Sequence, residues 1–260
     1  MSHATETLST IESSAESQSF AKRLAVLGYG LFSYGAGVTA LLWIILAAGG
    51  LAPVSLSSFQ AESTGTAIAV NLALIFIFAL QHSIMARRWF KEKLTQAIPA
   101  AAERPTYMLM TGIIASAVLY FWQPVPGTIW SVENSIGQIT LWTMYALGWS
   151  YLLISSFATN HFDLMGLRQV YLYFRKQPYT NLKFTQKFMY RYSRHPMMLG
   201  FFIGLWAVPV MTVSHFFMAL LFTVYIFFGI FFEERDLLKS FGDTYRKYKK
   251  EIATFIPGIY

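Results

Sequence analysis

The chain has 260 residues, 55% of them hydrophobic and 13% charged, with 20 Lys and Arg against 13 Asp and Glu. Soluble domains carry about 25% charged residues, so a layered soluble fold is excluded and the length goes into membrane crossings of about 20 apolar residues each. Cysteine is absent, which excludes disulfides, thiolate metal sites and a cysteine nucleophile.

Residues 1–20 hold nine Ser or Thr and three Glu with little apolar content, which predicts a disordered cytoplasmic tail over 1–22. The remaining 23–260 read as a single integral membrane domain. The start lacks the basic and apolar pattern of a cleaved signal, so the first span does the targeting. Stretches free of Asp, Glu, Lys and Arg run 24–61, 63–86, 105–132, 134–162 and 195–232. The last is split by Ser214-His215 into two short spans. The expected fold is therefore an all-α polytopic membrane bundle with six spans, at about 24–49, 66–86, 107–123, 137–159, 197–213 and 216–232. Lipid offers the backbone no hydrogen-bond partner, which makes the spans helices.

The basic residues partition on that frame. Two lie before the first span, five in the second-to-third loop, seven between Arg168 and Arg194, and six between Arg235 and Lys250, while the opposite face holds Glu62 and Glu133 and no Lys or Arg. Positive charge is retained in the cytoplasm on insertion, which places both termini there, in a bacterial inner membrane. The 160–196 loop mixes aromatics with seven basic residues. An interfacial segment lying on membrane lipid explains that composition, and a lid over a site is the lesser alternative. Nucleic acid is not expected, because no RNA or DNA motif accompanies the charge.

Polar residues at span ends mark the candidate site, since burying them at a membrane is unfavourable without a function. Gln81 and His82 close the second span; Asn160, His161 and Asp163 close the fourth. Arg194-His195-Pro196 opens the fifth, and Glu233-Glu234-Arg235 closes the sixth. All four clusters fall on the cytoplasmic boundary in the six-span frame. Each has an ordinary alternative: Pro196 suits a first helical turn, and the histidines suit caps.

The stretch Arg194-His195-Pro196-Met197-Met198-Leu199-Gly200, followed by a hydrophobic hairpin, Glu233-Glu234, Phe241-Gly242 and Tyr245-x-x-Tyr248, resembles the membrane methyltransferases that include isoprenylcysteine carboxyl methyltransferases and phospholipid N-methyltransferases. The match covers about 190–257, the expected cofactor-binding hairpin and tail. The resemblance implies S-adenosylmethionine as methyl donor, with Arg194, His195, Pro196, Gly200, Glu233 and Glu234 as cofactor residues. Large-substrate members have Tyr where Met198 stands, so a role for that hydroxyl does not transfer. The upstream segments 81–87 and 160–171 are similar instead to the methanethiol S-methyltransferase branch, a relative of the proteins called NnrU. That branch implies methylation of methanethiol, a small-molecule thiol, to dimethyl sulfide.

Methyl transfer is an in-line displacement in which positioning supplies much of the catalysis. A thiol attacks well only as thiolate, so a base is expected. The candidates are His82, His161 and His195, with Asp163 as base or as orienter of a histidine, and His82 stands first. His215 falls on the opposite face and His3 in the tail. The rivals are a methyltransferase of a larger acceptor, such as a prenylcysteine carboxylate, a phospholipid amine or another thiol, and a non-enzymatic NnrU-like accessory protein. The second is disfavoured because no charged residue lies at mid-span.

Overall fold

A computed structural model of the chain describes residues 19–180, 182, 184 and 186–258. The tail expected over 1–22 lies outside the described residues as far as Gln18, and helix begins at Phe20, inside that stretch. The helices are α1 (Phe20–Ala48), α2 (Thr64–Met85), α3 (Arg88–Leu94), α4 (Glu103–Phe121), α5 (Ser135–Ala158), α6 (His161–Leu164), α7 (Leu167–Phe174), α8 (Pro196–Trp206), α9 (Val213–Phe241) and α10 (Asp243–Glu251). Two strands, β1 (Thr128–Ser131) and β2 (Val210–Thr212), pair antiparallel. The protein is thus an all-α membrane protein, in which α1, α2 and α9 are each long and apolar enough to cross a bilayer.

The fifth and sixth predicted spans need correction. Helix was expected to run to residue 213, but α8 ends at Trp206, after 11 residues. At 1.5 Å per residue that is about half of a ~30 Å hydrocarbon layer. Pro209 is the cause: it removes a helical N–H and disfavours helix at Val208 before it. The chain continues extended instead, buried at Val208 and Met211. Trp130 Nε1 donates to Val208 O at 3.0 Å and Val132 N to Pro209 O at 2.9 Å. Non-helical backbone at membrane depth is tolerated when protein buries it in this way. The new helix starts where the Thr212 hydroxyl accepts from His215 N at 3.0 Å, an N-cap. Ser214 and His215 therefore sit in the first turn of α9, not in a break. At its far end α9 runs on to Phe241, so Glu233 and Glu234 lie within the helix and do not close it.

The chain divides into two compact units. The first comprises Met1–Leu42, Leu80–Ser116 and Asn160–Lys183. Its core joins Val26, Ala101, Val170 and Tyr173, with Leu27 and Leu167 against them. Small residues let its helices approach: a Cβ on Gly112 would lie 3.1 Å from Gly37 Cα, and one on Gly30 2.5 Å from Val170 Cγ2. Tyr29 and Thr106 link α1 to α4 through their hydroxyls at 2.9 Å.

The second unit comprises Trp43–Ala79, Ala117–Thr159 and Phe184–Tyr260. Here α5 and α8 meet backbone to backbone. A Cβ on Gly148 would lie 2.7 Å from Gly204 N, and one on Gly200 2.6 Å from Gly148 O. Fully buried Asn71 reads the backbone of Gln123 with both ends of its amide, accepting from Gln123 N at 2.7 Å and donating to Gln123 O at 2.8 Å. The Gln123 side chain in turn accepts from Ala61 N at 2.8 Å. This mid-helix asparagine is structural, since every group it turns inward has a partner.

Candidate functional site

In the second unit, four of the expected cofactor residues form one electrostatic cluster. Pro196 occupies the first turn of α8, where a missing N–H does no harm, and His195 is the residue before it. The backbone here is gripped by the chain after α10: Arg194 N donates to Ala253 O at 2.9 Å and His195 N to Thr254 O at 3.2 Å. Arg194 extends that grip. Its Nε donates to Glu234 Oε1 at 2.8 Å, Nη1 to Lys249 O at 3.0 Å and to Ile252 O, and Nη2 to Thr254 Oγ1 at 2.7 Å.

Glu234 is buried and held from three sides. Arg194 and His195 Nε2 meet its Oε1, the latter at 3.2 Å, and Lys249 Nζ meets Oε2 at 2.5 Å. Lys249 and Thr254 were missed in the sequence, because contacts across 15 and 60 residues leave no local pattern. Glu233, one residue earlier, is exposed and lies 3.4 Å from His195 Nδ1. The imidazole of His195 thus stands between two carboxylates. Burial opposes its charge, but hydrogen bonds and attraction from Glu233 and Glu234 outweigh burial and hold its pKa above the ordinary histidine range. With both ring nitrogens facing carboxylates, the protonated, doubly donating form fits. Gly200, grouped with these residues in sequence, is placed against α5, where its missing side chain permits helix contact.

Next to the cluster, α10 brings aromatic rings together. Phe184 packs on Phe241, Tyr245 and Tyr248 with centroids 5.1, 5.8 and 5.2 Å apart. The Tyr248 hydroxyl donates to Tyr190 O at 2.6 Å.

The first unit holds the other candidates. His82, near the end of α2, lies with Nε2 2.7 Å from the Tyr107 hydroxyl and Nδ1 3.1 Å from the Thr111 hydroxyl. A hydroxyl donates or accepts as required, so this pair satisfies both nitrogens of a neutral imidazole in either tautomer. Tyr107 and Thr111 are four apart on α4 and so share a face. His161 is buried, with Nε2 3.0 Å from the Tyr34 hydroxyl. Burial lowers its pKa, keeping the ring neutral near pH 7. Asn160, at φ +79°, caps this short helix by accepting from Asp163 N at 3.2 Å. Asp163 turns its carboxylate elsewhere: Oδ1 accepts from Arg168 at 2.8 Å and Oδ2 from the Tyr179 hydroxyl at 3.2 Å. Arg168 also holds Thr180 through its carbonyl and hydroxyl. Asp163 therefore ties the Tyr179–Thr180 segment to α7.

Residues 139–244 match the family model described as phospholipid methyltransferase. The chain is 44% identical to a methanethiol S-methyltransferase of Crocosphaera subtropica over 94% of its length and 96% of that protein. It is 41% identical to a methanethiol S-methyltransferase of Mycobacterium tuberculosis, over 91% and 97%. A lesser likeness, 30% identity over 61% of the chain and 58% of the relative, is to nurim of Xenopus laevis. No solved structure matches.

Proposed function

The chain belongs to the methanethiol S-methyltransferase family, and from that premise we propose that it methylates methanethiol to dimethyl sulfide with S-adenosylmethionine as the donor. The observation that carries the reading is the likeness to named methanethiol S-methyltransferases over more than nine-tenths of the chain. Bound S-adenosylmethionine supplies an electrophilic methyl carbon on a sulfonium. The charge present fits it: Glu233 offers an exposed carboxylate to a cationic molecule.

Within that reading the cofactor residues divide their work. Glu233 and His195 face the donor. Arg194 and Glu234 hold the chain after α10 against the start of α8, Pro196 begins that helix, and Gly200 seats it on α5. The acceptor needs its S–H proton removed as the new S–C bond forms, and His82 is the first base. Its two hydroxyl partners satisfy the neutral ring in either tautomer. His161, neutral and buried, is the second, while Asp163 acts by positioning, through Arg168 and Tyr179. The charge partition supports six crossings with both termini cytoplasmic, the fifth made of α8 and the extended stretch after it, and a site at the cytoplasmic interface of a bacterial inner membrane. The phospholipid methyltransferase match over 139–244 favours a larger acceptor as the second reading.

Purified protein supplied with both substrates is expected to release dimethyl sulfide, and to release none when S-adenosylmethionine is withheld. His82→Ala should reduce turnover more than donor affinity. Its deficit should shrink as pH approaches the thiol's own ionisation, where free thiolate needs no base. Wild-type turnover in His82→Ala would transfer the role to His161.

A further inference from the structure

We infer that the Tyr245 hydroxyl is a binding group for the methyl donor, donating a hydrogen bond to one of its oxygen acceptors. The inference rests on the proposed function above. Tyr245 lies on α10 with 1% of its surface exposed, and its ring is fixed between Phe184 and Tyr248, each with its centroid 5.8 Å away. Among the described residues its hydroxyl has no hydrogen-bond partner. A buried hydroxyl left unpaired is unfavourable, and the groups around it are not left so. The Tyr248 hydroxyl bonds the carbonyl of Tyr190. Arg194 uses all three of its nitrogens, and both oxygens of Glu234 are taken.

Tyr245 also stands beside the charged cluster in the chain's fold. Tyr245 precedes Lys249 by one turn on the same face of α10, and Lys249 ends on Glu234. After burial, the charges acting on the phenol most strongly are Glu234, Arg194 and Glu233. Burial and Glu234 keep the hydroxyl protonated, so it serves as a donor of hydrogen bonds at any working pH. An acceptor arriving with the methyl donor, either its carboxylate or a ribose oxygen, gives this hydroxyl the partner it lacks among the described residues.

The test compares Tyr245→Phe with Tyr248→Phe in the full-length protein in detergent, measuring the thermal midpoint without ligand and the Kd of S-adenosylhomocysteine and methylthioadenosine. Tyr245→Phe is expected to leave the ligand-free midpoint unchanged or raised, because an unpaired buried group is removed, and to weaken S-adenosylhomocysteine about tenfold. A parallel loss for methylthioadenosine assigns the contact to ribose; a loss confined to S-adenosylhomocysteine assigns it to the carboxylate. Tyr248→Phe should show the reverse, a lower midpoint with unchanged Kd. Unchanged affinity in Tyr245→Phe while wild type binds would overturn this inference alone. Wild type binding neither S-adenosylmethionine nor S-adenosylhomocysteine would overturn the proposed donor and the inference together.

Discussion

Glu233 and Glu234 are adjacent in the chain and opposite in environment: the Glu234 side chain is 9% exposed and clasped by Arg194, His195 and Lys249, whereas the Glu233 side chain is 46% exposed. Successive helical positions point about 100° apart, so α9 turns one carboxylate into the protein and presents the other outward. The same dipeptide therefore carries two roles.

Those roles separate by substitution. Glu234→Gln removes the carboxylate partner of buried Arg194 and one of the two carboxylates facing buried His195, and breaking a buried pair costs about 3–5 kcal/mol. Its unfolding midpoint in detergent should fall clearly, and donor affinity should fall with it. Glu233→Gln removes one of the two carboxylates facing His195, but from an exposed position, so it should cost clearly less stability than Glu234→Gln while weakening donor binding. Equal stability losses in the two variants would contradict the division.

His195 predicts a pH signature. Its folded pKa lies above the ordinary value, so its stabilising charge is fully present below about pH 6.5 and is lost as pH rises through the higher folded value. The groups facing it are Glu233 and Glu234 on α9, with Arg194 and Lys249 on the same carboxylate. His161, whose pKa burial lowers, contributes with the opposite sign, so the comparison must be with a His195 variant. The midpoint difference between wild type and His195→Asn should narrow as pH rises from about 6 to 9. A difference constant across that range would contradict a charged His195.

Gly200 tests whether a residue within the recognised motif acts by packing. A methyl there would lie 2.6 Å from both Gly148 O and Leu152 N, which are backbone atoms, so α8 must move away from α5. Gly200→Ala should cost about 1–3 kcal/mol of stability, with donor affinity per folded molecule changing only as far as the start of α8 shifts. Unaltered stability with lost affinity would instead make the glycine a direct donor contact.

Asn71 makes a prediction away from the chemistry. Asn71→Leu strands the Gln123 N–H and carbonyl, each worth about 1–3 kcal/mol when buried and unpaired. A large drop in the unfolding midpoint is expected, and an unchanged midpoint would show that the amide clamp is dispensable.

Apolar run length was enough to locate the helices: spans expected at 24–49, 66–86 and 137–159 are helical over 20–48, 64–85 and 135–158. Charge-free sequence did not reveal that Pro209 ends helix early, because the extended segment after it is as apolar as the helix before it. The strand pairing of Thr128, Trp130 and Ser131 with 210–212 is likewise a long-range event. The motif around Arg194 and Glu234 was legible as polar span ends on one boundary and through family resemblance, whereas Lys249, Thr254 and the open hydroxyl of Tyr245 emerge from how the chain after α10 folds back. Asn71 was invisible for a different reason: one amide in an apolar run carries no sign of the backbone it will bind.

The most direct measurement follows the methyl group itself. Purified protein is given S-adenosylmethionine labelled in the transferred methyl, together with methanethiol, a prenylcysteine and phosphatidylethanolamine vesicles in competition. Label is predicted to appear in headspace dimethyl sulfide. Label recovered in the prenylcysteine or the lipid, with none in dimethyl sulfide, would contradict the assignment of methanethiol as the acceptor.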